Sequence, residues 1–352
     1  MKKLLSLTAA AVALGLASQA NAAVTLAEDG DTKVTLGGFI KMDVRHTDGD
    51  LAEFGNLGYW IGIANESQGR SQTDFNANQS RLQFKVQHGK VTGVFEVDAD
   101  TTEGNELVSN SAGIRIRHAF IKWDNWLVGQ TWSTFMPLHA LAETLDFGGA
   151  HVGEAFIRQG QIRYTNGGFS FALENPETRG GSEQKESVPD IIARYDFKGD
   201  WGQANVGALF RKVDQSGIDE TAVGFNAAAK IKTGGKNDLR ISFAQGEYGR
   251  YVGTLAVPDI ATNDADETVV EEGTSFTLAY RHFWNEATRS TVYYGSSDAD
   301  VTDKKSSHWG VNLITSVTPK LKTGVEFGKF EVDNAGVDLS SNYLQFSAVY
   351  AF

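Results

Sequence analysis

The sequence predicts an all-β protein, a 16-stranded antiparallel transmembrane β-barrel with one loop folded inward to form a constriction. Three observations predict it. The last eleven residues, NYLQFSAVYAF, place Leu344, Phe346, Ala348, Tyr350 and Phe352 on one side and Tyr343, Gln345, Ser347, Val349 and Ala351 on the other. A period of two over this length marks a strand that can cross ~30 Å of hydrocarbon when tilted, and it ends on a phenylalanine with aromatic partners in phase. Segments of the same kind recur about sixteen times, and the connections between them alternate between tight turns and longer loops.

In chain order, the expected strands are 33–45, 78–88, 91–100, 113–123, 126–131, 156–165, 169–175, 190–197, 201–211, 221–232, 238–246, 274–283, 288–295, 307–317, 321–330 and 341–352. Tight turns rich in Gly, Asn, Asp or Pro join the pairs at 88–90, 124–125, 166–168, 198–200, 233–237, 284–287 and 318–320. The intervening connections 47–77, 132–155, 175–189 and 247–273 are long, which suits short periplasmic turns and extended external loops. All five prolines fall between the alternating segments, where no ladder hydrogen bond is lost. The sheet must close on itself, because an open edge in hydrocarbon leaves backbone groups unsatisfied at several kcal/mol each.

Ahead of the first strand, Lys2 and Lys3, the apolar run 4–17 and Ala20-Asn21-Ala22 have the form of a secretory signal peptide covering 1–22, so the barrel is expected over 23–352. The run is short for a spanning helix, and no later stretch approaches eighteen consecutive apolar residues. Mean hydropathy of −0.28 is compatible with a barrel, which hides its lipid face by alternation.

Alternation also sets facing. In 113–123, Ile114 and Ile116 point to lipid and Arg115 and Arg117 to the lumen; the opposite register would turn two arginines toward lipid at ~2 to 4 kcal/mol each. In 221–232, Val223, Phe225, Ala227, Ala229 and Ile231 face lipid, while Asn226, Lys230 and Lys232 face inward. The same rule gives a basic lumen in an acidic chain: Lys41, Arg45, Arg81, Lys85, Arg115, Arg117, Arg163, Arg194, Arg211, Lys230, Lys232, Arg240, Arg281, Arg289 and Lys322 against Asp43, Glu96, Asp98, Asp100, Glu174, Asp196 and Glu326. Rings of Arg and Lys favour anions in a water-filled pore, although inward charges can equally satisfy one another across the wall. The segment 132–155 (WSTFMPLHALAETLDFGGAHVGEA) is apolar for an external loop and is expected to fold into the barrel, where Glu143, Asp146 and Glu154 would stand opposite Arg115, Arg117 and Arg163. An ordinary external loop with solvated acids is the other reading of that segment.

The formal charge of −12 becomes −14 without Lys2 and Lys3, which argues against nucleic-acid binding. Without cysteine there is no disulfide or thiolate chemistry. No G-x-S-x-G, P-loop or H-E-x-x-H spacing occurs, and His118, His139 and His282 lack an evident Ser or metal partner, so neither an enzyme nor a cofactor is expected. Asp264 and Asp266 imitate the start of a calcium loop, but Val269 stands where that loop needs glycine. The function expected from the residues is passive diffusion of small anions; a structural or adhesive barrel with an occluded lumen is the alternative.

The stretches GIRIRHAFIKWDNWLVGQTWSTFMPLHALAETLDFGG (113–149) and FIRQGQIRYTNGGFSFALENPET (156–178) resemble the DcaP-like trimeric porins of Gram-negative outer membranes. The resemblance implies a sixteen-stranded barrel, a homotrimer set in outer-membrane lipid and lipopolysaccharide, and uptake of small anionic solutes, dicarboxylates among them. It maps the family's eyelet arginines to Arg115, Arg117 and Arg163, with Arg158 out of phase with Arg163. Together with Arg81, Lys85, Arg194 and the three loop acids, these are the expected constriction residues. Some members carry an N-terminal periplasmic helix; here 23–32 precede the first expected strand.

Overall fold

The computed structural model describes residues 23–51, 64–101, 109, 111–180, 186–252 and 257–352, with backbone alone at 51 and 64–68. The signal-peptide reading of 1–22 and parts of the loops 47–77, 175–189 and 247–273 lie outside the described residues. The strands are β1 Val24–Asp29, β2 Thr32–Leu51, β3 Ala64–Asn76, β4 Arg81–His88, β5 Val91–Asp98, β6 Arg115–Trp123, β7 Trp126–Trp132, β8 Arg158–Asn166, β9 Phe169–Glu174, β10 Asp190–Gly199, β11 Gly202–Gln215, β12 Ile218–Gly234, β13 Asn237–Gly246, β14 Ile260–Thr262, β15 Thr268–Val270, β16 Gly273–Phe283, β17 Thr288–Ala299, β18 Lys304–Ser316, β19 Leu321–Asn334 and β20 Val337–Ala351.

Eighteen of these form one antiparallel sheet, and β14 and β15 form a separate small hairpin. Closure is made by β2, which pairs with β20 from Phe39↔Ala351 to Gly49↔Ser341 and, on its other edge, with β4 and then β3. Along that edge β3 and β4 share one line; at the break between them Ser80 Oγ accepts from Lys41 N at 3.0 Å and donates to Lys41 O at 3.2 Å, replacing the missing ladder contacts. On the opposite edge β1 covers the start of β2, in line with the end of β20. The eighteen strands therefore make sixteen staves.

The expected strand set needs two additions. The lead 23–32 contains β1, and the expected loop 47–77 is largely an extension of β2 together with β3. Both faces of the β3 sequence ANESQGRSQTDFN are polar over most of its length, so the alternation that marks a lipid-facing strand is missing there. The contrast between tight and long connections is also less strict than expected. β11 to β12 turns at Ser216 and Gly217, and β19 to β20 at Ala335 and Gly336, all four with positive φ, as two-residue hairpins require.

Facing follows the expected alternation. Ile114, Ile116, Phe225, Leu344 and Phe346 are exposed on the outer wall, whereas Arg117, Asn226 and Gln345 are buried inside. Trp123, Trp126, Phe169, Phe197, Trp201 and Trp284, all exposed, cluster beside the tight turns as an aromatic girdle. The apolar core is inside the barrel, built largely by the segment between β7 and β8: Phe135, Met136, Ala150, Val152 and Ala155 are at most 2% exposed.

Candidate functional site in the barrel lumen

The β7–β8 loop folds inward as expected and runs round the inner wall, meeting successive staves as it goes. Thr134 N donates to Glu174 of β9 at 2.7 Å, and Arg194 of β10 donates to Thr134 O and Met136 O at 3.3 and 2.7 Å. Asn226 of β12 donates to Phe135 O, and Arg240 of β13 to Leu141 O. Arg281 of β16 and Arg289 of β17 both bind Glu143, and Asn312 of β18 donates to Glu143 O at 2.8 Å. Leu145 N donates to Glu326 of β19 at 2.9 Å, and Asp146 reaches Arg45 of β2 at 3.5 Å. Glycines allow the close seat: a Cβ on Gly153 would lie 2.4 Å from Ser296 O, and one on Gly295 2.0 Å from Val152 O.

The three loop acids, expected to stand opposite Arg115, Arg117 and Arg163, find their own partners on other staves. Glu143 is held by Arg281 and Arg289 on the far side of the barrel. Burial opposes its ionisation, but the two arginines outweigh that and hold its carboxyl down at about 2. Asp146 lies beside Arg45, His151 and Gln79, and burial pushes its carboxyl up to about 8 despite Arg45. Glu154 is also pushed up to about 8 by burial, only partly offset by Thr277 and Arg240. Strand periodicity could not find these partners, because it does not say how far an irregular loop travels.

Arg115 and Arg117 instead pair within their own wall. Arg115 donates to Asp98 at 2.9 Å and Asp100 at 2.8 Å, and Arg117 to Glu96 at 2.8 Å and Asp98 at 2.9 Å. Arg81 is 3.6 Å from Glu96 and stacks on Phe39 and Phe147. Arg158, out of phase by sequence, turns inward at the first residue of β8 and lies 4.7 Å over the Trp132 ring. Among the described residues, Arg158, Arg163 and Lys85 have no carboxylate partner within 4.0 Å. Arg194 lies beside Asp196 at 2.6 Å. Thus β4 to β8 carry Arg81, Lys85, Arg115, Arg117, Arg158 and Arg163 on one wall, where the loop's Phe147 lies over Arg81 and Arg117, while Glu143 sits against β16 and β17 and Asp146 beside Arg45 of β2.

Two features escaped the sequence reading. A second segment, 247–252 after β13, also folds inward, burying Tyr248, Tyr251 and Val252 completely against Phe135 and Ala155. The sequence signal available was Tyr248, Tyr251 and Val252 within a nominally external loop. The other feature is a buried polar cluster between β17 and β20. Tyr293 and Tyr343 hydroxyls lie 2.7 Å apart and each donates to Glu326 at 3.0 Å; His308 contacts Tyr343 and stacks on both Phe330 and the loop's His151. Among the described residues, no group of three or more His, Asp or Glu could hold a metal ion. Asp264 and Asp266 form the β14–β15 tip, where Asn263 Oδ1 accepts from Ala265 N at 2.9 Å and Glu267 N at 3.0 Å.

A closed barrel of sixteen antiparallel staves, apolar outside, polar inside and narrowed by an inward loop, has the porin-type architecture of outer-membrane proteins. The sequence model of the DcaP outer membrane protein family matches residues 8–334, and the chain belongs to that family, which places it in the bacterial outer membrane. No curated protein matches the sequence. Among solved structures the chain is similar to the outer membrane channel DcaP of Acinetobacter baumannii, at 22% identity and TM-score 0.81 over 94% of this chain and 100% of that one. It is also similar to the anion-selective porin from Comamonas acidovorans (14%, TM-score 0.60, 91% and 100%) and to a trimer form of OmpT from Vibrio cholerae (12%, TM-score 0.55, 92% and 100%). At these identities the structures speak for the fold.

Proposed function

We propose that the mature chain, 23–352 after removal of 1–22, forms a water-filled diffusion channel for small, preferentially anionic solutes of the dicarboxylate class. The observation that carries this is the charge division in the lumen. Glu143 and Asp146 are engaged by Arg281, Arg289 and Arg45, whereas Lys85, Arg158 and Arg163 on β4 and β8 have no carboxylate partner within 4.0 Å among the described residues. Arg158 and Arg163 are five residues apart on β8, about 17 Å along the strand, so a dianion could be handed from one cation to the next. The anion selectivity of the Comamonas porin and the trimer form of OmpT support this reading and a homotrimer, whose apolar outer wall would meet outer-membrane lipid and lipopolysaccharide. The short strands β5 to β9, six to nine residues, make a low apolar wall suited to contact between protomers.

Planar-bilayer reversal potentials under a salt gradient test the anion preference, and liposome swelling with dicarboxylates, sugars and amino acids tests the solute class. Cation preference would remove the anion reading. The two inward segments also favour a second reading, a structural barrel with an occluded lumen; purified protein without ion conductance would establish that instead.

A further inference from the structure

We infer that 247–252 is a second pore-narrowing element and that Tyr251 is the positioning residue that couples it to the β7–β8 loop. The inference rests on the channel reading above and concerns what sets the cross-section, not which ions pass.

The chain leaves the ladder at Gly246, whose φ of +104° and 2.4 Å approach to Val223 O exclude a side chain. Glu247 N then donates to Val223 O at 2.8 Å, and the Glu247 carboxylate accepts from Val223 N at 2.9 Å, pinning the departure. Tyr248 crosses the inner face to hydrogen-bond with Ser275 at 2.6 Å, over Gly224 and Gly273, where added Cβ atoms would meet it at 3.0 and 2.7 Å.

Tyr251 touches both limbs of the first loop. Its ring packs edge-on against Phe135 at 5.8 Å on the outgoing limb, and its carbonyl accepts from Phe156 N at 3.1 Å on the returning one. Its hydroxyl accepts from Gln159 of β8 at 2.6 Å and donates to Asp190 of β10 at 2.8 Å, and Val252 bridges to Ala155. None of these contacts belongs to the wall ladder, which closes through β2 and β20 without them. Removing them should loosen the filling of the lumen and spare the barrel.

Tyr251→Ala and Tyr251→Phe, each in the full chain, would be compared with wild type for single-channel conductance, exclusion of graded neutral polyethylene glycols and reversal potential. Heat-modifiable gel migration reports whether the barrel is intact. Y251A should raise conductance at least about twofold and admit larger polymers while keeping the sign of selectivity, since the β4–β8 arginines are untouched. Y251F, which keeps the ring and loses the Gln159 and Asp190 bonds, should give a smaller increase. A folded Y251A with wild-type or lower conductance and an unchanged exclusion size overturns the inference. If Y251A does not assemble, wild-type behaviour in Y251F overturns it. A silent wild type would defeat the channel reading, yet a conducting Y251A would still support the second narrowing element.

Discussion

Glu143 and Arg289 meet in a two-pronged ion pair: Arg289 Nε donates to Oε2 at 2.9 Å and Nη2 to Oε1 at 2.6 Å, while Arg281 adds a third bond at 3.0 Å. The pair locks the middle of the inward loop to β16 and β17.

Glu143→Gln removes the charge and leaves the partly buried Arg289 without a carboxylate partner, while Arg281 keeps Asp238, which should weaken loop docking by about 3 kcal/mol. Hydrogen exchange of amides 141–146 should accelerate, and open-channel current noise should rise. Unchanged protection at these amides would show that Asn312 and Glu326 hold the loop without the ion pair.

Docking should also depend on pH. Burial raises the Glu154 and Asp146 carboxyls to about 8, so their contribution is complete below the ordinary carboxylate values of about 4 and is lost as pH rises through about 8. His151 has the opposite sign: burial, with His308 and Arg45 adding to it, lowers its value, so its contribution is present above about 6.5 and lost as pH falls through the depressed value. Limited proteolysis of the loop should be faster at pH 9 than at pH 6, and Glu154→Gln should shrink that difference. Equal rates at both pH values in the wild type would count against it.

Arg158→Gln should lower anion selectivity while leaving the barrel's thermal unfolding close to wild type. Its contact with Trp132 is a cation–π pair worth ~1 kcal/mol, and no described carboxylate loses a partner. Arg117→Gln should behave differently, because it strips the buried Glu96 and Asp98 of a shared cation at a cost of about 3 kcal/mol. Reversal potentials and melting curves on both variants separate a conduction role from a structural one.

On the outer wall, Phe225→Arg should impair assembly, since a cation near the midplane costs ~2 to 4 kcal/mol. Refolding yield into lipid vesicles measures it. A wild-type yield would mean that this position lies near the headgroups.

Legibility followed the solvent. Ile114 and Ile116 against Arg115 and Arg117 could be read directly because one face of that strand meets lipid and the other water. β1 is exposed on both faces and β3 is polar on both, so neither leaves a period of two that distinguishes a lipid face. Arg158 was legible as a candidate but not in its direction, because the first residue of a strand is free to turn out of phase.

By itself, the chain's alternation of apolar and polar residues determined the sixteen-stave barrel, its inside and outside, and the inward turn of an apolar loop. Only the tertiary structure decided that the loop runs past Arg194, Arg289 and Glu326 to Arg45, that Glu143 meets β16 and β17 while Asp146 meets β2, and that Tyr251 joins a second segment to it. The reason is physical: strand facing is a local choice between lipid and water at each residue, whereas the course of an irregular loop is set by long-range contacts that no repeat in the sequence encodes.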